Sequence, residues 1–170
     1  GTSPAYGWAA LKVTSASTAT NHALQINGNA VFGDGVADHV SGITTLYVSG
    51  TTLINTDSIS SSSTQTYNGA VSLGANTTLT STGSGDIRFA STLDGAKTLT
   101  VNTAGLTRFD GDVGAGTMLT NLTTDSPGTL LINSSAVTTT CASSSTKSKP
   151  TSDAPVACMP LKSTDSNRTS

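Results

Sequence analysis

The amino-acid sequence predicts an all-β protein, a β-solenoid or a closely related β-rich repeat with little or no helix. One reason is composition: Ser and Thr make up about a third of the 170 residues, 11% are charged, and all ten acidic residues are Asp. The charged residues that favour helices are therefore scarce, whereas Thr, Val and Ile favour a pleated, half-buried surface. The other reason is self-similarity over a long displacement, which is typical of stacked repeats.

Two parts of the chain match each other in order, with gaps of one or two residues. We interpret residues 11–86 and 87–140 as two copies of a unit of about 76–78 residues. Apolar and Asn positions carry the match, because Ser and Thr agree by chance in a chain this rich in them. The matched segments are 11–13 with 87–89, 24–27 with 99–102, Phe32 with Phe109, and 54–59 with 132–137.

Each unit is predicted to consist of short strands separated by turns. Segments such as 87–89 and 99–101 alternate apolar and polar residues, and dipeptides such as Asp94-Gly95 follow them as turn signals. We therefore expect three or four coils of about twenty residues per unit, stacked at the strand spacing of roughly 4.8 Å. The recurring Asn residues are predicted to lie at corners, where Asn tolerates left-handed backbone: Asn27 with Asn102, and Asn55 with Asn133.

The two ends of the chain depart from the repeat. Residues 1–10 are predicted to be a coupling segment, in which Tyr6 and Trp8 cap the first coil, contact a neighbouring subunit or stack on a sugar. Residues 141–170 form a Ser/Thr/Pro-rich tail. Cys141 and Cys158 are predicted to form a disulfide in an oxidising compartment, with two unrelated free thiols as the alternative. Gly1 is either the mature end or the start of an excised piece.

A resemblance to a known family rests on two long stretches. Residues 64–80 (TQTYNGAVSLGANTTLT) and 85–105 resemble the repeat of very large bacterial surface proteins of the filamentous-haemagglutinin type, and the likeness covers roughly residues 45–140. It implies a long β-helical stalk, exported to the cell surface, with a role in adhesion or in a matrix. Residues 28–38 (GNAVFGDGVAD) are similar to repeats in phage tail fibres.

The sequence does not contain the residue patterns of common enzymes. His22 and His39 fall in separate segments that look like turns, without a Cys or Asp cluster beside either in the sequence. No GxSxG nucleophile motif occurs, and Asn55-Thr56-Asp57 lacks the companion motifs of polygalacturonases, which it otherwise resembles. We therefore predict that the protein is not an enzyme and has no catalytic residues or cofactor.

Calcium is considered because two acidic, glycine-containing turns fall in corresponding places of the two copies. The candidate ligands are Asp34 and Asp38 in the first copy and Asp110 and Asp112 in the second. Carboxylate and carbonyl oxygens suit Ca²⁺, but the spacings of the EF-hand and of the nonapeptide calcium repeat are both missing. Ordinary β-turns are the favoured interpretation.

The predicted function is that of a non-catalytic structural subunit of an extracellular surface fibre, sheath or adhesive stalk. Copies of the chain are the expected partners, because open ends of a strand stack offer edges to the next subunit. A phage tail-fibre segment and a module that binds surface glycans are the alternatives. A formal charge of −2 argues against nucleic acid as a partner, and no apolar run is long enough for membrane insertion.

Overall fold

The computed structural model describes residues 11–13, 17–34, 38–125 and 127–141. These residues form parallel strands stacked as a β-solenoid of about five turns, without a helix, and the predicted fold class is confirmed. Residues paired between successive coils are 18 positions apart at the least, for Ile43 and Ser61, and 24 at the most, for Val113 and Val137. The predicted coil length of about twenty residues is confirmed as well.

The solenoid has three faces, each a ladder of parallel strands. Face 1 also includes bridges from Leu93 to Val113 and from Val113 to Val137. Two long strands, β2 and β4, run along faces 2 and 3 in turn. The long strands are β2 (Ser17–Ile26) and β4 (His39–Val48). Face 1 contains β1 (Leu11–Val13), β3 (Ala30–Phe32), β5 (Thr52–Ile54), β8 (Val71–Leu73) and β11 (Leu93–Asp94). Face 2 contains β6 (Ser58–Ser61), β9 (Thr77–Ser81), β12 (Thr98–Thr103), β14 (Leu119–Thr124) and β16 (Thr139–Cys141), and face 3 contains β7 (Gln65–Tyr67), β10 (Ile87–Phe89), β13 (Leu106–Phe109) and β15 (Thr129–Ile132).

The long unit of 76–78 residues aligns strands from different faces. Phe32 and Ile54 belong to face 1, whereas their predicted counterparts Phe109 and Ile132 belong to face 3. The reason is physical: all three faces alternate inward apolar and outward polar residues, so an alignment can slip by one face and still match. The structural repeat is the single coil. The described strands extend from Leu11 to Cys141.

The core consists of columns of inward side chains that run along the solenoid axis. One column of face 3 consists of aliphatic and aromatic side chains and includes a stack of three aromatic rings. The Tyr67 and Phe89 ring centroids are 5.3 Å apart, those of Phe89 and Phe109 are 5.0 Å apart, and the rings are nearly parallel. From one end to the other this column contains Ile26, Val48, Tyr67, Phe89, Phe109 and Ile132.

Tyr67, the first ring of this stack, forms a hydrogen bond with the fully buried side chain of Gln65. The Tyr67 hydroxyl donates to Gln65 Oε1 at 2.9 Å, and Gln65 Nε2 donates to the Thr80 carbonyl at 2.9 Å and to Ser61 Oγ at 3.1 Å. A buried amide without partners would be strongly destabilising, so this network makes the polar interior tolerable. Burial also raises the pKa of Tyr67 far above its ordinary value, which keeps the hydroxyl protonated as a donor.

Buried hydroxyl groups line the corner between faces 2 and 3. Ser61, Ser81 and Thr103 occupy equivalent positions in successive coils and are at most 5% exposed. Ser81 Oγ donates to the Ser63 carbonyl at 2.9 Å, and Thr103 Oγ1 donates to the Gly85 carbonyl at 2.7 Å. Some of the many Ser and Thr side chains thus form hydrogen bonds with backbone groups at the corners, where strand pairing does not satisfy them.

The described residues contain no helix long and apolar enough to span a membrane.

Candidate functional site: polar corners, a groove on face 2 and the C-terminal edge

Asp and Asn side chains join the corners of one coil to the next. Asp94 Oδ1, for example, accepts the backbone N–H groups of Gly116 at 2.8 Å and Thr117 at 3.0 Å, one coil further along. Each bond satisfies a backbone donor at a corner, where ladder pairing is interrupted. The same kind of bond joins Asn29 to Thr51, Asn76 to Thr98, Asp86 to Leu106, Asp125 to Thr103, and Asp112 to Ser135 and Ala136.

The corner positions predicted for Asn27, Asn55 and Asn133 are confirmed, because each directly follows a strand, but the left-handed backbone predicted for them is wrong. Apart from glycines, Ser84 is the one described residue with a positive φ, at 62°. Asn102 lies within strand β12 rather than at a corner, while Asn55 and Asn133 each follow a strand directly. The structure uses Asn and Asp mainly as acceptors for the neighbouring coil, an inter-coil role that local turn propensities do not predict.

The first pair of calcium candidates lies in the corner between faces 1 and 2. The backbone N–H of Asp34 donates to Asp38 Oδ2 at 2.8 Å, and residues 35–37 between them are outside the described part of the chain. The second pair, Asp110 and Asp112, lies in the corner between faces 3 and 1. The prediction that the two pairs occupy corresponding places is therefore wrong, because it was based on the long repeat, which aligned strands of different faces.

Asp110 is at the centre of a cationic cluster on face 3. Its Oδ2 accepts from Arg88 Nε at 2.7 Å, and its Oδ1 accepts from Arg108 Nε at 2.6 Å and Asn133 Nδ2 at 2.8 Å. Desolvation raises the pKa of Asp110, but the hydrogen bonds from Asn133, Arg108 and Arg88 outweigh it and lower that pKa to about 2. Two guanidinium groups surround this carboxylate, an arrangement unlike that of a cation ligand.

We expect replacement of Asp110 by Asn to remove a contribution to the free energy of unfolding that is present only while the Asp110 carboxyl group is ionised. The pKa falls from 3.8 to about 2 on folding, so the contribution is present above about pH 4 and is lost as the pH drops towards 2. Urea unfolding at several pH values should show a gap between wild type and Asp110→Asn that is constant near neutrality and closes between about pH 4 and 2.

The matched control for this titration is Asp86→Asn. The Asp86 carboxylate accepts one backbone N–H, from Leu106 at 2.9 Å, and an amide oxygen can accept the same bond. Near neutrality its free energy of unfolding should stay close to that of wild type. A gap for Asp110→Asn that did not change with pH would contradict the assignment of Asp110 as the titrating group.

Among the described residues, no group of three or more His, Cys, Asp or Glu side chains is arranged to hold a metal ion. Asp112 Oδ1 accepts backbone N–H groups from Ser135 at 2.9 Å and Ala136 at 3.1 Å. The four predicted calcium ligands thus lie in two different corners. In each corner, carboxylate oxygens accept hydrogen bonds from other groups of the protein.

His39 and Asp57 form a pair that the sequence did not predict. His22 and His39 were expected in turns, but His22 lies within β2 and His39 begins β4, so that expectation is wrong. His39 Nδ1 is 2.9 Å from Asp57 Oδ1, although the two residues are 18 positions apart. The hydrogen bond that His39 donates to the Asp57 carboxylate raises the pKa of His39. A period of about twenty residues, applied to the sequence, would have brought this pair together.

The His39 and Asp57 pair borders an open groove of about 590 Å³ on the outside of face 2. Ser58, Thr78 and Thr100 contribute one hydroxyl group from each of three successive coils, because they are paired in register. The rest of the lining is also polar and consists of Asn76, Thr77 and Thr98. The groove is therefore an array of hydrogen-bond donors and acceptors at strand spacing.

Strand β15, the last described strand of face 3, exposes three large apolar side chains. Leu130, Leu131 and Ile132 are 47%, 39% and 42% exposed. Met118, which is 48% exposed, lies elsewhere, directly before β14 of face 2. Leu130 and Ile132 continue inward columns, so they would be core residues if another coil followed. We call the three residues Leu130, Leu131 and Ile132 the C-terminal apolar edge.

Several predicted functional residues lie outside the described part of the chain. These are Tyr6 and Trp8 of the N-terminal segment and Cys158 of the tail. Cys141 ends strand β16, and the backbone of Asn121 pairs with it. The predicted disulfide thus involves a residue beyond the described ranges and stays a prediction. No protein-family model, curated protein or solved structure matches this chain.

Proposed function

We propose that this chain is a non-catalytic structural subunit of an extracellular fibre, sheath or adhesive stalk of a cell surface. The observation that carries the proposal is the parallel stack of coils, together with the C-terminal apolar edge that face 3 exposes. Stacked coils of this kind form a stiff rod, in which each coil is held mainly by its neighbours. An exposed strand edge with apolar side chains is a natural site for pairing with another chain.

The corner bonds support a mechanical rather than a chemical role. Carboxylates such as Asp94 and Asp112 hold backbone N–H groups of the next coil. Asp110 joins two arginines of adjacent strands to Asn133 of the following coil. In this proposal the polar side chains of the corners stabilise the rod against separation of its coils, and no reaction is assigned to them.

Negative-stain electron microscopy of the protein, with and without reductant, tests the proposal. Filaments, tubes or joined rods are the expected result. Discrete single particles at all concentrations would contradict self-assembly, and a mass of three chains would favour the phage-fibre alternative. Omission of either terminal segment, 1–10 or 141–170, is expected to abolish assembly, since both depart from the repeat. A truncated protein that still assembled would refute the assignment of that segment as a coupler.

A second candidate function, glycan binding, is favoured by the groove on face 2. Its hydroxyl, amide and carboxylate groups match the donors and acceptors of a sugar chain, and its hydroxyls repeat from coil to coil. A glycan array followed by titration calorimetry would test this function. Thr78→Val together with Thr100→Val should abolish binding, whereas Thr66→Val on face 3 should leave it unchanged; equal binding by all three proteins would exclude the groove.

A further inference from the structure

Two arginine side chains lie next to each other on the outside of face 3. Arg88 of β10 and Arg108 of β13 are paired in register, and their side chains are 43% and 38% exposed. Each donates its Nε–H to a different oxygen of Asp110. The terminal N–H groups of both side chains form no hydrogen bond with the described residues. Asp110 therefore fixes the two guanidinium groups through Nε and leaves their terminal N–H groups for a ligand.

The charges around this pair favour a single carboxylate as the ligand. The N–H groups of a guanidinium match the planar carboxylate group, and their bonds to it are strong because both partners are charged. Asp110 provides one negative charge, and Asp86, which directly precedes β10 and accepts the N–H of Leu106 at 2.9 Å, provides another. The two arginines and two aspartates are neutral together, so this surface does not attract densely charged polymers. A ligand with isolated carboxylates among neutral groups fits it.

An aromatic residue lies in the same outward column of face 3. Tyr47 is paired with Thr66, and Thr66 with Arg88, so Tyr47 is two strand spacings, about 10 Å, from Arg88 along the rod axis. Among the described aromatic residues, Tyr47 is the one that is not buried. Its hydroxyl oxygen accepts a hydrogen bond from Asn68 Nδ2 at 2.7 Å, which fixes the position of the ring. A partly exposed aromatic ring offers an apolar surface on which a sugar can stack.

We propose that the outside of face 3 binds a linear polysaccharide in which uronate residues alternate with neutral sugars. Arg88 and Arg108 bind the carboxylate of one uronate residue, and Tyr47 stacks on a neutral sugar further along the polysaccharide. The polysaccharide lies along the rod axis, because the column that contains these three residues runs along it. This site is separate from the groove on face 2. It goes beyond the structural function, since a single chain can bind the ligand whether or not rods assemble.

Titration calorimetry of the full chain with a hyaluronan oligosaccharide, which alternates glucuronate with N-acetylglucosamine, tests the proposal. We expect binding of this probe and no measurable binding of a chitin oligosaccharide of the same length, which lacks carboxylates. Arg108→Gln should weaken binding by about tenfold or more, because it removes hydrogen bonds between charged groups. The matched control is Lys97→Gln, which removes the same charge directly before β12 of face 2 and should bind like wild type.

Further variants separate recognition of the ligand from charge and from folding. Arg108→Lys keeps the positive charge beside Asp110, but an ammonium group lacks the planar set of donors, so this variant should also bind more weakly than wild type. Tyr47→Leu leaves the arginines unchanged and should weaken binding by about fivefold, whereas Tyr47→Phe should retain it. Wild type without affinity for hyaluronan, an Arg108→Gln variant that binds like Lys97→Gln, or equally tight binding of dextran sulfate would each overturn the proposal.

Discussion

Replacement of Phe89 by Ala is expected to lower the free energy of unfolding by about 3–5 kcal/mol. Phe89 is 1% exposed and lies between Tyr67 and Phe109, with ring centroids 5.3 Å and 5.0 Å away. Loss of its ring would leave a cavity bounded by both neighbours, which the paired backbones of three coils prevent from closing. Since most domains have 5–15 kcal/mol of stability in total, urea unfolding should shift to a much lower midpoint.

Thr66→Ala is the matched control for the Phe89 variant. Thr66 lies on the adjacent strand β7, in the outward column that also contains Arg88, so its removal leaves the core unchanged. Outward substitutions of this kind usually change stability by less than about 0.5 kcal/mol. A loss of under about 1 kcal/mol for Phe89→Ala, in the range of ordinary substitutions, would mean that the aromatic stack is not tightly packed.

Gly69→Ala is expected to be strongly destabilising, with a loss of about 3 kcal/mol. A Cβ atom on Gly69 would overlap the backbone carbonyl group of Gly50 and lie 2.7 Å from the Thr51 nitrogen. Rigid backbone cannot move aside as a flexible side chain can. The coils would have to separate, which weakens the bond from the Asn68 N–H to the Val48 carbonyl, now 2.9 Å.

Gly116→Ala provides the comparison for this glycine. The nearest atoms to its added Cβ are the Asp94 carboxylate oxygens at 3.3 Å, which belong to a side chain. Its effect should be small, and the reduced freedom of the unfolded chain even favours the folded state. Thermal melting of both variants by circular dichroism measures the difference. Similar midpoints for the two would show that the contact with Gly50 does not limit coil spacing.

Composition and alternation were sufficient to predict the fold class and the coil length. Segments such as Ile87–Phe89 and Thr98–Thr103 place inward and outward residues as expected for strands. The long repeat, in contrast, equated Phe32 on face 1 with Phe109 on face 3. Inward positions of the three faces carry the same residue types, so the sequence pattern repeats more often than the structure does, and the register of faces cannot be read from it alone.

The functional features depended on which residues face each other across coils. His39 and Asp57 are distant in sequence and meet because one coil separates them. Asp110 looked like part of an acidic turn, but two arginines from neighbouring strands surround it. Leu130 and Ile132 have the sequence pattern of an ordinary core strand. Their exposure depends on whether another strand covers them, which the sequence of the strand does not indicate. Each of these contacts requires the coil register, which local propensities do not contain.

Because the coils vary in length, the number of residues in the chain does not determine the length of the solenoid. Coils of 18 and of 24 residues both occupy one strand spacing, about 4.8 Å, because the extra residues are accommodated at the corners. Loops at a corner can therefore lengthen outwards, and change what the surface presents, without altering the distance between the two ends. Only the addition or removal of a whole coil changes that distance, so the length of the rod can change only in steps of one strand spacing.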